Sequence, residues 1–365
     1  MGGDENNGKH WSANESIQKF MKEKNLPDNH ALQAYFNNRI LKILTRHGKK
    51  MIGWDEILHP QMPTNIVIHS WRGKDAMVKA AQEGYQSILS NGYYIDLIQP
   101  ADFHYLNDPL PFDTPLSLSE QILILGGEAT MWSELVTDEN IDSRIWPRTA
   151  AIAERFWSSR EINDVEKMYE RLGRISIQLE ELGLTHNKNY EMMLRRLANY
   201  NDINPLKTLV DLLEPVKGYK RHSQGVKYTS YSPYTRVVDA ARPDAGEARE
   251  FRKMVDQLIV TGDKDIERVI KDKLKTWYDN HNKLVQLINK SPVLKEIEPL
   301  SEHLKEISVI GLNTIESLNR NQKVEPDKMV EYLKTIEMAK NPYGQLELMI
   351  VSAIEKLVLK MNQMK

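Results

Sequence analysis

The chain has 365 residues, with 49 Lys+Arg against 51 Asp+Glu and a formal charge of -2. So even a balance excludes a global field that would recruit nucleic acid or an acidic membrane. The absence of Cys excludes disulfides, thiolate metal sites and a cysteine nucleophile, and no apolar run reaches the ~18 residues of a membrane-crossing helix. The length suits two domains, or one barrel with an appendage. In chain order, a turn opens the sequence with Gly2-Gly3-Asp4-Glu5, and apolar residues at helical spacing follow over 17–24 and 31–47. Lys50 to Trp54 reads as a short buried strand ending in Asp55-Glu56, and Asn65 to Trp71 as a second. A helix over 75–83 leads to a third strand, Gln86 to Ser90, which runs into Asn91-Gly92-Tyr93-Tyr94-Ile95-Asp96. After a Pro-rich connection, Ile122 to Glu128 is the fourth. Near-continuous apolar strands alternating with helices indicate a parallel sheet covered by helices. From Trp146 onward the pattern is helical: 146–157 with Pro147 in its first turn, then 165–182, 190–200 and long amphipathic helices beyond residue 246. A loop rich in Tyr, Ser and basic residues separates the last two regions, over about 218–246.

The reactive side chains cluster at the strand ends. They are Asp4 and Glu5, Trp54 with Asp55 and Glu56, Trp71, Tyr94 with Asp96, and Glu128, Trp132 and Glu134. In a parallel α/β barrel these ends converge on one face, and chemistry sits there. A single terminal carboxylate is more often a helix cap, but five consecutive units ending in carboxylates or aromatics are harder to explain by capping. Adjacent carboxylates repel, which is a simple way to keep one ionised and the other protonated near neutrality. Three Trp and a Tyr among carboxylates suit a sugar, whose C–H faces pack on aromatic rings while its hydroxyls seek acceptors.

The blocks Gly2-Gly3-Asp4-Glu5-Asn6-Asn7-Gly8-Lys9-His10-Trp11, Gly53-Trp54-Asp55-Glu56, His69-Ser70-Trp71, Asn91 to Asp96 and Gly126-Gly127-Glu128-Ala129-Thr130-Met131-Trp132-Ser133-Glu134 resemble family 20 glycoside hydrolases, the β-N-acetylhexosaminidases. They occur in family order over roughly residues 1–160. The resemblance implies an α/β fold, the C-terminal part of a (β/α)8 TIM barrel (about strands 4–8), followed by an α-helical C-terminal region. The corresponding division is a partial barrel over 1–160, helices and loop packing on it over 161–245, and a helical domain over 246–365. It also implies retaining, substrate-assisted hydrolysis, an exception to the two-carboxylate rule of glycosidases: the sugar's own N-acetyl carbonyl attacks the anomeric carbon. By motif match Asp4 orients the acetamido group, and Glu5 protonates the leaving oxygen and later deprotonates the water. Tyr94 would bond the acetamido oxygen with Asp96 beside it, Trp54, Trp71 and Trp132 would wall the pocket, and Glu134 would accept sugar hydroxyls. For Asp96 and Glu134 a loop-stabilising role stays open; Asp55, Glu56 and Glu128 read as structural. The partner implied is an N-acetylhexosamine-terminated oligosaccharide or glycoconjugate.

One departure stands out. In the family the Gly-Gly-Asp-Glu block closes the fourth barrel strand, and here it begins at residue 2. The expectation is therefore half a barrel, whose open strand edges need covering. An alternative is a truncated, catalytically incompetent fragment acting at most as a sugar-binding or helical interaction module. Gly-Gly-Asp-Glu also opens the diguanylate cyclase signature, but Asn6 stands where that signature has Phe. The basic and aromatic loop around Lys217 to Arg236 has the mixture of single-strand nucleic-acid binders, yet on a neutral chain a packed loop is the simpler reading. His59, His69 and His104 show no metal-ligand spacing, and no cofactor is expected. No signal peptide is visible; family relatives are generally exported, which makes a periplasmic or extracellular location the expectation.

Overall fold

The computed structural model describes residues 1–365 except Asp4, Val226, Met364 and Lys365. The described chain forms two compact units. The first comprises Met1–Ile95, Ala101–Trp132 and Arg148–Gly173; the second comprises Asp96–Pro100, Ser133–Pro147 and the remainder from Arg174.

The first unit is built on four parallel strands in the order β1 (Ile52–Trp54), β2 (Val67–Ser70), β3 (Gln86–Leu89) and β4 (Ile124–Gly127). Spatial order equals chain order, as repeated strand–helix units demand. All four strands expected from the apolar runs are present. β2 is buried along its whole length, which explains why Val67-Ile68-His69-Ser70 does not alternate as a half-exposed strand would. The register steps by one residue between β3 and β4, where Ser87 faces Ile124 but Ile88 faces Gly126. Beyond β3 and β4 the ladder resumes, with Tyr94 bridging Thr130 in parallel. Helices Glu15–Glu23 and Asn29–Arg46 precede β1. They start where side-chain caps allow: Asn14 Oδ1 accepts from the Ile17 N–H at 3.1 Å, and Asp28 Oδ1 from the Ala31 N–H at 2.8 Å. Helix Lys74–Gln82 crosses from β2 to β3. Apolar packing in this unit is divided among three small clusters, around Ile66 and Ile68, around Leu89 and Tyr93, and around Tyr105 and Met168.

The second unit is mostly helical. Its core runs as one cluster from Tyr190 to Val358, with Phe251, Leu274, Trp277, Leu304 and Ile354 among its members. Helices Lys264–Lys290 and Glu298–Asn319 form its long axis, flanked by Gly246–Thr261 and Val351–Asn362. The amphipathic helices expected beyond residue 246 supply this core, through Phe251, Val255, Leu258, Ile270, Leu274 and Trp277. Two features differ from the sequence reading. A small antiparallel ribbon joins β5 (Leu213–Pro215) to β6 (Leu346–Leu348), where only helices were expected. The helix expected from Trp146 starts at Arg148, with Pro147 outside it after a cis Trp146–Pro147 bond.

Candidate functional site

The carboxyl ends of the strands carry the singled-out side chains. Met1 is one rung of the sheet beyond β1: its ammonium donates to Ile52 O at 2.7 Å, and the Trp54 N–H donates to Met1 O at 3.1 Å. This pairing sets Met1 beside the end of β1, level with Trp54. The turn that follows needs its glycine. Gly3 has φ +139°, and a Cβ there would lie 1.9 Å from Gln33 Nε2. Glu5 is exposed in the turn; Asp4, the other half of the expected catalytic pair, lies outside the described residues. The Asn6 side chain closes the following bend by accepting from the Gly8 N–H at 2.9 Å.

Three of the expected aromatic side chains meet. The Trp54 and Trp132 rings are 5.8 Å apart between centroids, and those of Trp132 and Tyr94 are 6.1 Å apart. Trp54 also stacks on His69 at 4.2 Å and 30°. Burial holds the His69 imidazole below its ordinary pKa, against the opposing pull of Glu128 and Asp55. It is therefore neutral at pH 7 and supports the Trp54 ring as a flat, uncharged surface. Glu128 stands 3.9 Å from His69 Nε2. The fourth aromatic, Trp71, is placed by a hydrogen bond: its indole N–H donates to both Glu56 oxygens at 3.2 Å. The neighbouring Arg72 donates from backbone and side chain to buried Asp55, both at 3.2 Å. Asp55 and Glu56 thus tie the turn after β1 to the turn after β2, which agrees with the structural part read for them. Gly127 lets β4 approach: a Cβ there would meet Phe156 at 2.4 Å.

Asp96 and Glu134 belong to the second unit. There the Gly218 N–H donates to Leu97 O at 2.9 Å, which fixes the segment after Gly218 beside Asp96. Burial raises the Tyr219 hydroxyl pKa, and the negative charges of Asp96 and Glu134 raise it further. The Glu134 carboxylate pairs with His222 Nε2 at 2.8 Å. Three of the loop's basic side chains turn inward within this unit. Arg221 bonds Gln345 at 3.0 Å and Asp239 at 3.3 Å, Arg236 holds Glu296, and Lys217 holds Glu214.

His69 and His222 were not singled out as site residues by the sequence. For His69 a signal existed, since it stands two residues before Trp71 on one strand and so shares its face. For His222 there was none, because its partner is distant in the chain. Among the described residues no three Asp, Glu, His or Cys side chains gather as a metal site. No helix among them is long and apolar enough to cross a membrane.

Comparison with known proteins bears on this arrangement. Residues 1–160 match the family model described as glycosyl hydrolase family 20, catalytic domain. A beta-hexosaminidase of Porphyromonas gingivalis is 33% identical over 205 residues, covering 51% of this chain and 26% of that protein. The beta-hexosaminidase subunit beta of Rattus norvegicus is 35% identical over 181 residues, covering 47% of this chain and 33% of its own length. The chain thus spans about a quarter to a third of these curated relatives. The crystal structure of a chitobiase from Flavobacterium johnsoniae superposes with a TM-score of 0.89 at 41% identity, covering 98% of this chain and 55% of that one. That likeness extends through the helical region as well as the sheet. The strands and helices of the first unit are the C-terminal part of a (β/α)8 barrel, followed in the chain by an α-helical region. Over residues 1–160 this chain is similar to the catalytic domain of glycosyl hydrolase family 20.

Proposed function

We propose that this chain carries out the chemistry of an exo-acting β-N-acetylhexosaminidase, removing terminal non-reducing N-acetyl-β-D-hexosamine from oligosaccharides or glycoconjugates. The observation that carries this reading is the wall of Trp54, Trp132 and Tyr94 at the strand ends. Aromatic faces receive the apolar face of a sugar, and in this reading the carboxyl group of Glu5 transfers the proton. The family match and the beta-hexosaminidase and chitobiase relatives support the same substrate class.

In the proposed mechanism the acetamido carbonyl oxygen forms a bond to the anomeric carbon while the glycosidic C–O bond breaks. Glu5 gives its proton to the departing oxygen. Asp4 holds the acetamido N–H and balances the positive charge of the oxazolinium ring. Water then attacks the anomeric carbon, Glu5 takes its proton, and the ring reopens with overall retention. Tyr94 donates to the acetamido oxygen, and Trp54, Trp71 and Trp132 enclose the methyl group and sugar ring. Glu134 accepts hydrogen bonds from the sugar hydroxyls, and Asp96 supports Tyr94. In this proposal residues 1–160 supply the chemistry, 161–245 pack as helices and loop, and 246–365 form a helical domain. A periplasmic or extracellular location fits substrates of this kind.

The test is release of 4-nitrophenol from 4-nitrophenyl N-acetyl-β-D-glucosaminide. Glu5→Gln removes the transferable proton and is expected to lower the rate by about 100-fold or more. A Glu5→Gln rate within a few-fold of the parent would remove Glu5 from the mechanism.

A further inference from the structure

Glu134 needs help to act as a hydroxyl acceptor. Its side chain is 54% exposed, and it follows Ser133, whose backbone is left-handed at φ +63°. An exposed carboxylate with freely turning torsions gives up side-chain entropy when it bonds a sugar hydroxyl. A carboxylate already held by one oxygen gives up less, and its second oxygen remains available.

The segment Gly218 to Ser223, beyond the residues matched to the family domain, provides that hold. Several bonds within the second unit fix it. The Gly218 N–H donates to Leu97 O at 2.9 Å. Buried Arg221 donates to Gln345 at 3.0 Å, to Asp239 at 3.3 Å and to the Tyr228 hydroxyl at 3.2 Å. Anchoring Arg221 inward leaves its neighbour His222 directed outward, half exposed, where Nε2 meets Glu134 Oε2 at 2.8 Å. The Tyr219 ring lies beside the imidazole, 6.1 Å between centroids, and its hydroxyl feels the charges of both Asp96 and Glu134. Four side chains from three separate stretches of sequence therefore share one place: Asp96, Glu134, Tyr219 and His222.

We propose that His222 is a positioning residue of the sugar site, orienting the Glu134 carboxylate by the pairing of its Nε2 with Oε2 so that Oε1 faces the hexosamine hydroxyls. This rests on the hexosaminidase reading, and it adds to that reading a contribution from the helical part of the chain. His222 touches no reacting atom; it acts through Glu134, so its loss weakens sugar binding only while Glu134 is there to be oriented.

The experiment is a double-mutant cycle on the full chain, with binding of N-acetylglucosamine read by saturation-transfer NMR, which measures millimolar dissociation constants. His222→Ala is expected to weaken binding by about tenfold, the effect of losing one close polar partner of a charged group. On a Glu134→Gln background the same change should alter the dissociation constant by less than about twofold. His222→Gln keeps an N–H donor and should recover most of the loss. A purely structural His222 would weaken binding equally on both backgrounds, and that result overturns the proposal. So does parent-like affinity in His222→Ala. A parent chain that binds no sugar sinks the hexosaminidase reading together with this one, whereas binding that is indifferent to His222 sinks this one alone.

Discussion

His69 shows how one side chain can serve a site without touching a ligand. It lies on a fully buried strand, and its ring supports the Trp54 ring at 4.2 Å. Burial outweighs the pull of Glu128 and Asp55, and the imidazole stays neutral below its ordinary titration range. The sign of the consequence follows from linkage. The unfolded chain takes the proton near pH 6.5, whereas the folded chain resists it to lower pH, so protons favour unfolding in that interval. The contribution of neutral His69 is complete above about pH 6.5 and is lost as pH falls from there toward the folded-state value. We expect the urea midpoint to fall between pH 7.5 and pH 5, and to fall less in His69→Gln. His186, whose pKa burial also lowers, keeps part of the decline in that variant. An identical midpoint drop in parent and variant would show that His69 is not held neutral by the fold.

Between elements, the decisive contacts are those no local pattern announces. Arg144, on the helix Ile141–Ile145, is fully buried. It donates to Ala241 O and Val238 O at 2.8 Å and to Asp239 O at 3.1 Å, covering the last carbonyls of the helix Val237–Ala240. Arg144→Met removes these donors and leaves the carbonyls buried, which should cost about 3 kcal/mol in urea unfolding. Arg144→Lys keeps the charge but not the planar fork and should recover less than half of it. A cost below about 0.5 kcal/mol would mean that water replaces the guanidinium. Contrast with the strands shows what a sequence can reveal. β1 to β4 were legible because each is an apolar run closed by turn residues, and Trp54, Tyr94 and Trp132 were legible because they stand where such runs end. The ribbon of β5 and β6 was not. Leu213-Glu214-Pro215 carries a proline and a buried carboxylate, and it is a strand only because Lys217 and the Ala245 N–H, the latter at 2.7 Å, hold Glu214. His222 was hidden for the same reason, since its partner Glu134 is brought to it by the fold alone.

At the scale of the molecule the two units differ in how their apolar surface is buried. The second has one continuous core, and its helices Lys264–Lys290 and Glu298–Asn319 place Ile270, Leu274, Trp277, Leu304 and Ile307 within it. The first divides its burial among three small clusters and leaves Ile52 on β1 and Leu125 on β4 about half exposed. Leu118 and Ile122, just before β4, are 81% and 78% exposed. Each exposed large side chain forgoes roughly 1.5–3 kcal/mol of burial energy, and an outer strand has a whole row of backbone groups unpaired. Opening of the first unit should therefore cost less than opening of the second. Native-state hydrogen exchange measures this directly, because the slowest amides of each cooperative unit report the free energy of opening it. The slowest amides of β1 to β4 should report an opening free energy lower by about 2 kcal/mol or more than those of the two long helices. Two ceilings separated in this order would make the sheet the labile part and the helical unit the stable one. One ceiling common to both would mean that the chain opens as a single cooperative body, and that the exposed strand positions carry no penalty the rest of the molecule does not share.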